Sequence, residues 1–391
     1  MKYKSCEAYL VGIGETKVGK LPGKTAIELQ AEAVRRAIAD AGFEKEDIDA
    51  VYTLDPYSYP VVMHSMLLSE YLGIKPTLAA TIDVGGTASP MSMILHGIDA
   101  IEKGRAEVVV CVFGENALTG RVPEANGLPL QSQMGTEEFE DPFGALGMVV
   151  SYALLAQRYI EKYNIPDGAF APVVEASRKY ALLNENAHIK KRFSLDEYLS
   201  SPWIARPLRR MDCCPISDGA GAVVLTSKRK IRERNIKHTP VSVLGFGSKI
   251  THKIVSQMPD IDQLGMSIAA ARAFEEAKIT KEDIDLLLVH DAFTISVILT
   301  LEALGFCDKG EAPRYITGGT LELEGELPTN THGGLLSQGH VGGILHIVEA
   351  VRQLRGDSGR RQVENAEIAF VAGNGGVFSN CGALILGKGG G

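Results

Sequence analysis

The chain has 391 residues, of which 45% are hydrophobic and 23% charged, and its formal net charge is −8. This length exceeds one ordinary core and predicts two domains, or two halves that share one body. The acidic balance argues against a nucleic-acid partner, which needs a clustered basic face, and no apolar run approaches the length of a membrane span.

The six cysteines include no CxxC pair and no disulfide-like spacing. Such cysteine usage is typical of a reducing compartment. We therefore expect a cytoplasmic protein without structural zinc.

The first part of the chain alternates apolar strands with helices. Apolar runs predict strands over residues 8–13 and 50–54, and apolar side chains at helical spacing predict a helix over residues 25–41. A glycine-rich loop at residues 82–86, a helix to residue 100 and a strand over residues 107–113 follow.

The pentapeptide Lys-Glu-Asp-Ile-Asp occurs twice, at residues 45–49 and 281–285. The second copy also lies between a predicted helix and a predicted strand, and a second glycine-rich loop, helix and strand follow it at residues 333–339, 344–354 and 367–372. We interpret this pattern as an internal duplication. Two α/β halves, each with a mostly parallel sheet, should then pack together.

We place the boundaries as follows: residues 1–113 begin the N-terminal half, 114–210 form an inserted loop domain, 211–235 return to the N-terminal half, and 236–391 form the C-terminal half. Within the insertion, residues 114–147 are rich in glycine and proline, which favours a covering loop or lid over a partly disordered surface insertion. Arg206, Arg209 and Arg210 could clamp a phosphorylated small molecule.

His340 lies in the sequence GGLLSQGHVGG at residues 333–343, directly before a helical pattern. Glycines let the backbone approach a ligand, and a histidine exchanges protons near neutral pH. A structural loop with a surface histidine is the common alternative. A second histidine, His290, favours a site where the two halves meet.

Three motifs resemble the thiolase superfamily, most closely the sterol-carrier-protein-type thiolases. They are SDGA at residues 217–220, VHDAF at 289–293 and GGLLSQGH at 333–340. The resemblance covers nearly the whole chain and implies a duplicated α/β thiolase fold of five layers, αβαβα. It also implies coenzyme A and acyl-CoA as ligands, no covalently bound cofactor, and chemistry at the carbon–carbon bond next to the thioester.

The resemblance also implies residue roles. His340 matches the histidine that activates the nucleophile and helps to hold the thioester oxygen, and His290 matches the residue that positions a water or a substrate oxygen. Phe293 and Ser337 lie within the matching motifs, and we expect them at the substrate or CoA site together with the three arginines.

The family's nucleophilic cysteine is missing. Residues 83–89 read DVGGTAS at its expected place after a strand at residues 81–84, and our register puts Gly86 there. The second family cysteine is replaced within the sequence AGNGG, which ends at Gly376. Thr87 or Ser89 could supply a hydroxyl nucleophile, although helix N-capping is their more common role. The small Gly86 would leave room for a bulky or branched substrate or for a second thiol.

Three functions follow, in this order. The first is a thiolase in which CoA thiolate attacks a 3-oxoacyl-CoA directly. The second is a retro-aldolase of a 3-hydroxyacyl-CoA, and the third is a non-catalytic acyl-CoA-binding scaffold. The resemblance further implies a homodimer, or a dimer of dimers, joined at the N-terminal sheet edges, and allows a small partner subunit of the zinc-ribbon/OB-fold type.

Overall fold

The computed structural model describes residues 8–120, 136, 139–145 and 147–389. Residues 121–135 of the expected lid therefore lie outside the described residues. The N-terminal half begins with β1 (Ala8–Glu15), α1 (Ala26–Ala41), β2 (Ala50–Thr53), α2 (His64–Leu72), β3 (Leu78–Thr81), α3 (Ala88–Glu102) and β4 (Val108–Asn116).

The following segment contains α4 (Met148–Tyr163), α5 (Ala171–Leu183), α6 (Leu195–Ser200), β5 (Trp203–Ala205) and β6 (Leu208–Arg209). The rest of the described chain forms β7 (Asp218–Ser227), α7 (Lys228–Arg234), β8 (Val241–Ile250), α8 (Gly265–Ala277), β9 (Leu286–Val289), α9 (Thr294–Leu304), α10 (Ala312–Tyr315), α11 (Ile344–Arg355), β10 (Ile368–Gly375) and β11 (Asn380–Lys388). No helix in these described ranges is both long and apolar enough to cross a membrane.

The strands follow the order β3-β2-β4-β7-β1-β8-β11-β10-β9. The halves meet where β1 pairs with β8, and from this junction outward they repeat one order, β1-β7-β4-β2 and β8-β11-β10-β9. In the second half, a parallel bridge between Leu287 and Thr329 occupies the position that the β2–β3 pairing has in the first half.

The sheet of each half is mixed, so the expectation of mostly parallel sheets is wrong. Parallel pairing joins β2 to β3 and β4, and β9 to β10. The other pairs within each half are antiparallel. Strand β7 lies between β4 and β1 and is antiparallel to both. Strand β11 follows β10 through a tight turn, lies between β10 and β8, and is antiparallel to both.

Five layers result from helix packing. Helix α1 covers the outer side of β1, β4 and β7, and α8 covers β8 and β11. Helices α3 and α11 lie between the sheets, because each contacts strands of both halves. The structure thus confirms the duplicated five-layer α/β fold.

The repeated pentapeptides occupy equivalent places. Each begins with a 3₁₀ turn, over Lys45–Asp47 and Lys281–Asp283. Asp49 Oδ2 then accepts hydrogen bonds from the N–H groups of residues 107 and 108 at 2.8 and 3.1 Å. Asp285 Oδ2 accepts from those of residues 367 and 368, both at 2.8 Å. Each carboxylate therefore fixes the start of the neighbouring strand, β4 or β10.

The strand expected at residues 81–84 lies earlier, because β3 ends at Thr81. Asp83 Oδ1 accepts a hydrogen bond from the N–H of Gly85 at 2.9 Å, and Ser89 Oγ accepts one from the N–H of Val84 at 3.1 Å. These bonds bend the chain into a loop before α3 instead of continuing the strand.

We expect Asp49→Ala and Asp285→Ala each to lower the free energy of unfolding by about 1–3 kcal/mol, because each leaves two backbone donors without their acceptor. Urea denaturation measures this loss. Asp99→Ala is the matched control, since the Asp99 carboxylate forms an exposed ion pair with Lys103 at 3.2 Å, and it should change stability by less than about 0.5 kcal/mol. If Asp49→Ala and Asp285→Ala unfold like the control, the carboxylates do not secure the strands.

Candidate active site

A cavity of about 690 Å³ lies where the loops after β2, β3 and β10 meet α4. It brings together five residues of the predicted site, namely Gly86, His290, Phe293, His340 and Gly376. Phe293 stacks on Tyr152 with ring centroids 4.5 Å apart, which gives one wall an apolar face. The two histidines that the sequence singled out therefore share one cavity.

The three predicted arginines do not line this cavity. Arg209 is buried, its guanidinium stacks 3.9 Å from the ring centroid of Trp203, and it pairs with Asp167 at 2.8 Å. Arg206 and Arg210 are exposed. Arg209 is thus engaged within the protein and is not available to clamp a phosphate as expected.

Ser337 does not line the cavity either. Its side chain is buried in the π-helical turn Gly334–Gln338, and its hydroxyl lies 2.6 Å from that of Ser177. The serine therefore holds the turn before His340 against α5, and the structure gives it no contact with a ligand site.

Thr87 begins α3, but its side chain does not cap the helix, so N-capping is the wrong interpretation for this residue. The hydroxyl lies 3.0 Å from Nδ1 of His290 in the other half and accepts a hydrogen bond from the N–H of Asn374 at 2.8 Å. The Thr87 N–H donates to the carbonyl of Asn374 at 3.0 Å. Ser89 is buried beneath the loop and does not border the cavity.

The Thr87 hydroxyl decides which nitrogen of His290 carries the proton. It has one proton, which it can donate to His290 Nδ1 or to the Asn374 carbonyl at 3.2 Å. If the hydroxyl donates to the Asn374 carbonyl, Nδ1 of His290 must carry the proton and donate it to the hydroxyl, since two lone pairs would otherwise face each other. In that tautomer Nε2 has a free lone pair and can accept a proton.

Burial keeps both histidines neutral. His290 is 6% exposed, and desolvation together with repulsion from His340 and His346 holds its pKa well below the ordinary range. Burial also lowers the pKa of His340. Neutral imidazoles can accept protons at neutral pH, which is the requirement for a general base.

Asp291 links the two histidine motifs. Its carboxylate accepts a hydrogen bond from the N–H of Leu335 at 2.7 Å, within the turn that precedes His340. Burial raises the pKa of Asp291 to about 7. The residue after His290 therefore also positions the loop that carries His340.

Gly86 is required by the backbone. Its φ is +43°, and an added Cβ would lie 2.6 Å from the carbonyl oxygen of Asn374. At Gly85 a Cβ would lie 2.8 Å from Cα of Gly375. The position of a Cβ at residue 86 is thus occupied by strand β10, so the missing side chain does not itself enlarge the cavity, and a bulky substrate or a second thiol beside Gly86 stays a prediction.

None of the five cysteines in the described chain borders the cavity. Cys381 is fully buried in the C-terminal core, and burial raises its pKa to about 12. No group of three or more histidine, cysteine or acidic side chains is placed to hold a metal ion in the part of the chain that the structure describes.

Sequence reasoning missed several cavity residues, among them Asp55, Asp83, Tyr152 and Asn374. The two acidic residues follow directly after the parallel strands β2 and β3, and ligand sites commonly lie at the carboxyl ends of such strands. That position was the available signal. Burial, with repulsion from Asp83, raises the pKa of Asp55.

Comparison with known proteins decides the family. Residues 7–229 match the model described as thiolase, N-terminal domain, and residues 247–388 match the thiolase C-terminal domain-like model. The chain belongs to the thiolase family.

Similar members of this family differ in chemistry. The chain is 33% identical to the 17-hydroxy-3-oxo-4-pregnene-20-carboxyl-CoA lyase of Mycobacterium tuberculosis, over 98% of this chain and all of that one. It is 32% identical to an acetyl-CoA acetyltransferase of Methanothermobacter thermautotrophicus, over 97% and 99%. A solved structure, the Ltp2-ChsH2(DUF35) aldolase, matches with a TM-score of 0.87 at 31% identity, over 98% of each chain.

This thiolase is therefore an enzyme that makes or breaks the carbon–carbon bond next to a CoA thioester, as the sequence predicted. The non-catalytic scaffold, which was the third hypothesis, is set aside. The comparisons include both lyase and acyltransferase chemistry, so the form of the reaction has to be inferred from the cavity.

We expect Thr87→Val to lower turnover of a CoA-thioester substrate by at least about tenfold, because an oriented base contributes about 10²–10⁴-fold. Without the hydroxyl, the charged form of His290 loses an acceptor and its pKa falls further. The acidic limb of kcat/KM should therefore move to lower pH. Thr87→Ser keeps the hydroxyl, so its turnover rate and the pH position of its acidic limb should both match those of the unmodified enzyme. A slower Thr87→Val enzyme whose acidic limb has not moved would show a structural role only.

Proposed function

We propose that this thiolase cleaves 3-hydroxyacyl-CoA thioesters by a retro-aldol reaction. The observation that carries the proposal is that His290 and His340, both kept neutral by burial, border the cavity, whereas no cysteine of the described chain does. Transfer of an acyl group through the enzyme needs an activated nucleophile, and a retro-aldol cleavage needs none. The lyase and the aldolase among the similar proteins support this choice.

The reaction balances without a co-reactant. His290, oriented by Thr87, takes the proton of the C3 hydroxyl at Nε2. The O–H electron pair forms the C3 carbonyl, the C2–C3 bond breaks, and its electron pair moves to the thioester oxygen as an enolate. Protonation at C2 by the imidazolium then yields the shorter acyl-CoA and a free aldehyde or ketone.

The enolate oxygen requires hydrogen-bond donors. His340 borders the cavity, and Gly86 and Gly376 present backbone to it at φ values of +43° and +60°. The hydroxyl of Tyr152 fixes the peptide after Gly376 by donating to its carbonyl at 2.9 Å. We assign the thioester oxygen to this region, where one preorganised donor contributes about 3 kcal/mol to transition-state stabilisation.

Direct thiolysis of a 3-oxoacyl-CoA is the second candidate. The identity to an acetyl-CoA acetyltransferase favours it. In that reaction CoA thiolate would attack C3 itself, since the cavity offers no thiol of its own among the described residues.

In both candidates coenzyme A is a substrate or part of a product. We propose that Lys253, exposed at the cavity rim, faces its phosphates.

Product analysis separates the two reactions. With 3-hydroxy-3-methylbutyryl-CoA as the probe, we expect acetyl-CoA and acetone in equal amounts, at a rate that does not depend on added CoA. Liquid chromatography and mass spectrometry of the quenched reaction measure both products. A cleavage that occurs only with a 3-oxoacyl-CoA and free CoA would establish thiolysis instead.

Histidine variants provide the control for that assay. His290→Ala and His340→Ala should each lower turnover by about 100-fold or more. His238→Ala is the matched control, because His238 is half-exposed and lies near Asp40, outside the cavity. Near-normal activity of either cavity variant would remove that histidine from the mechanism.

We also propose a homodimer in the cytoplasm. Strand β3 is the edge of the N-terminal half, and beside it helix α2 exposes Met66, Leu67 and Tyr71 at 54%, 40% and 46%. An apolar edge of this kind favours a second copy of the chain as its cover.

The aldolase named with a DUF35 partner supports a small additional subunit. Light scattering of the purified chain should give twice the monomer mass, and full activity without any partner would argue against the additional subunit.

A further inference from the structure

The carboxamide of Asn374 is a buried polar group at the cavity wall. The residue is 1% exposed, and neither its Nδ2 nor its Oδ1 has a hydrogen-bond partner among the described residues. A buried polar atom without a partner costs about 1–3 kcal/mol, so such groups usually meet a ligand or an ordered water.

The backbone of Asn374 is fixed on both sides, which sets where its side chain begins. Its N–H and carbonyl are both bonded to Thr87, at 2.8 and 3.0 Å, and β10 pairs with β11 at this position. The Tyr152 hydroxyl lies close to the amide but forms no hydrogen bond with it, and it donates its proton to the carbonyl of Gly376. The amide thus lies at the cavity wall with no hydrogen bond to the described residues around it.

The neighbouring amide shows what a structural role looks like here. Asn380 also borders the cavity, but its Nδ2 donates to the carbonyl of Val84 at 2.9 Å and so holds the loop before α3. Asn374 has no such contact within the described chain.

His290 presents the second unpartnered atom. Its Nε2 is buried without a hydrogen bond to any described residue, and its Nδ1 meets the same Thr87 hydroxyl that holds Asn374. The two groups therefore border the same part of the cavity. When the His290 proton is on Nδ1, the two side chains together offer a donor at Nδ2 and acceptors at Oδ1 and Nε2.

A hydroxyl group matches this set better than a ketone does. An alcohol oxygen accepts a hydrogen bond from Nδ2 and donates its own proton to Nε2, whereas a ketone oxygen only accepts and would leave both acceptors unpaired.

We propose that Asn374 is a substrate-binding residue that, with His290, holds the C3 hydroxyl of the acyl chain and so selects 3-hydroxyacyl over 3-deoxyacyl thioesters. The proposal rests on the retro-aldol function above and adds the group that recognises the reacting oxygen. Nδ2 keeps its hydrogen bond while the O–H proton passes to Nε2 of His290 and the C3 oxygen becomes a carbonyl. Thr87 acts as a positioning residue for both groups.

A binding cycle with two ligands tests the proposal. The ligands are 3-hydroxy-3-methylbutyryl-CoA and 3-methylbutyryl-CoA, which differ by the C3 oxygen. Calorimetry is done in the His340→Ala background, where turnover is slow, with and without Asn374→Ala. We expect Asn374→Ala to weaken binding of the hydroxy ligand by about tenfold or more, the value of one buried hydrogen bond, and binding of the deoxy ligand by less than twofold.

Equal weakening of both ligands, or weakening of neither, would overturn the assignment. Asn374→Asp keeps the shape but removes the donor, so it should weaken the hydroxy ligand at least as much as Asn374→Ala does. Unchanged affinity in Asn374→Asp would contradict the assigned Nδ2 donor, and this variant serves as the second test if Asn374→Ala does not fold.

Turnover of the unmodified enzyme keeps the two proposals apart. If the enzyme cleaves the hydroxy ligand but the cycle shows no selective loss, only the role of Asn374 is wrong. If the selective loss is present but the enzyme does not cleave that ligand, the hydroxyl-binding site stands and the retro-aldol function is wrong.

Discussion

The contact between Thr87 and Asn374 determines the geometry of the site, because it joins the start of α3 in one half to the end of β10 in the other. The Thr87 N–H donates to the Asn374 carbonyl at 3.0 Å, and the Asn374 N–H donates to the Thr87 hydroxyl at 2.8 Å. The two backbones approach so closely that Gly86 has no room for a Cβ. His290 then takes its orientation from the same hydroxyl.

The buried histidines form a neutral environment behind the cavity. His346 donates from Nε2 to the Val289 carbonyl at 2.9 Å, so its Nδ1 accepts from Nε2 of His332 at 3.1 Å. Burial lowers the pKa of His346 to about 4. Dipoles that carry no net charge can be aimed at a developing enolate without the desolvation cost of a buried cation, and they act strongly because the surroundings exclude water.

The sequence allowed the architecture and the two cavity histidines to be predicted, because both follow from local patterns. The repeated pentapeptide marks equivalent aspartates, and glycine-rich loops mark the starts of the buried central helices. The antiparallel return of β7 and β11, the engagement of Arg209 by Trp203 and Asp167, and the contacts of Thr87 depend on residues far apart in the chain. No periodicity or motif in a single sequence encodes such partners.

The backbone around residue 86 requires glycine there. A cysteine at residue 86 would have its Cβ only 2.6 Å from the carbonyl oxygen of Asn374, and it would have to adopt a φ of +43°. The substitution would therefore displace β10 and the amide of Asn374 before a thiol reached a substrate. A cysteine at residue 86 therefore requires the two halves to move apart at this contact, so glycine at residue 86 and asparagine at residue 374 belong to one arrangement.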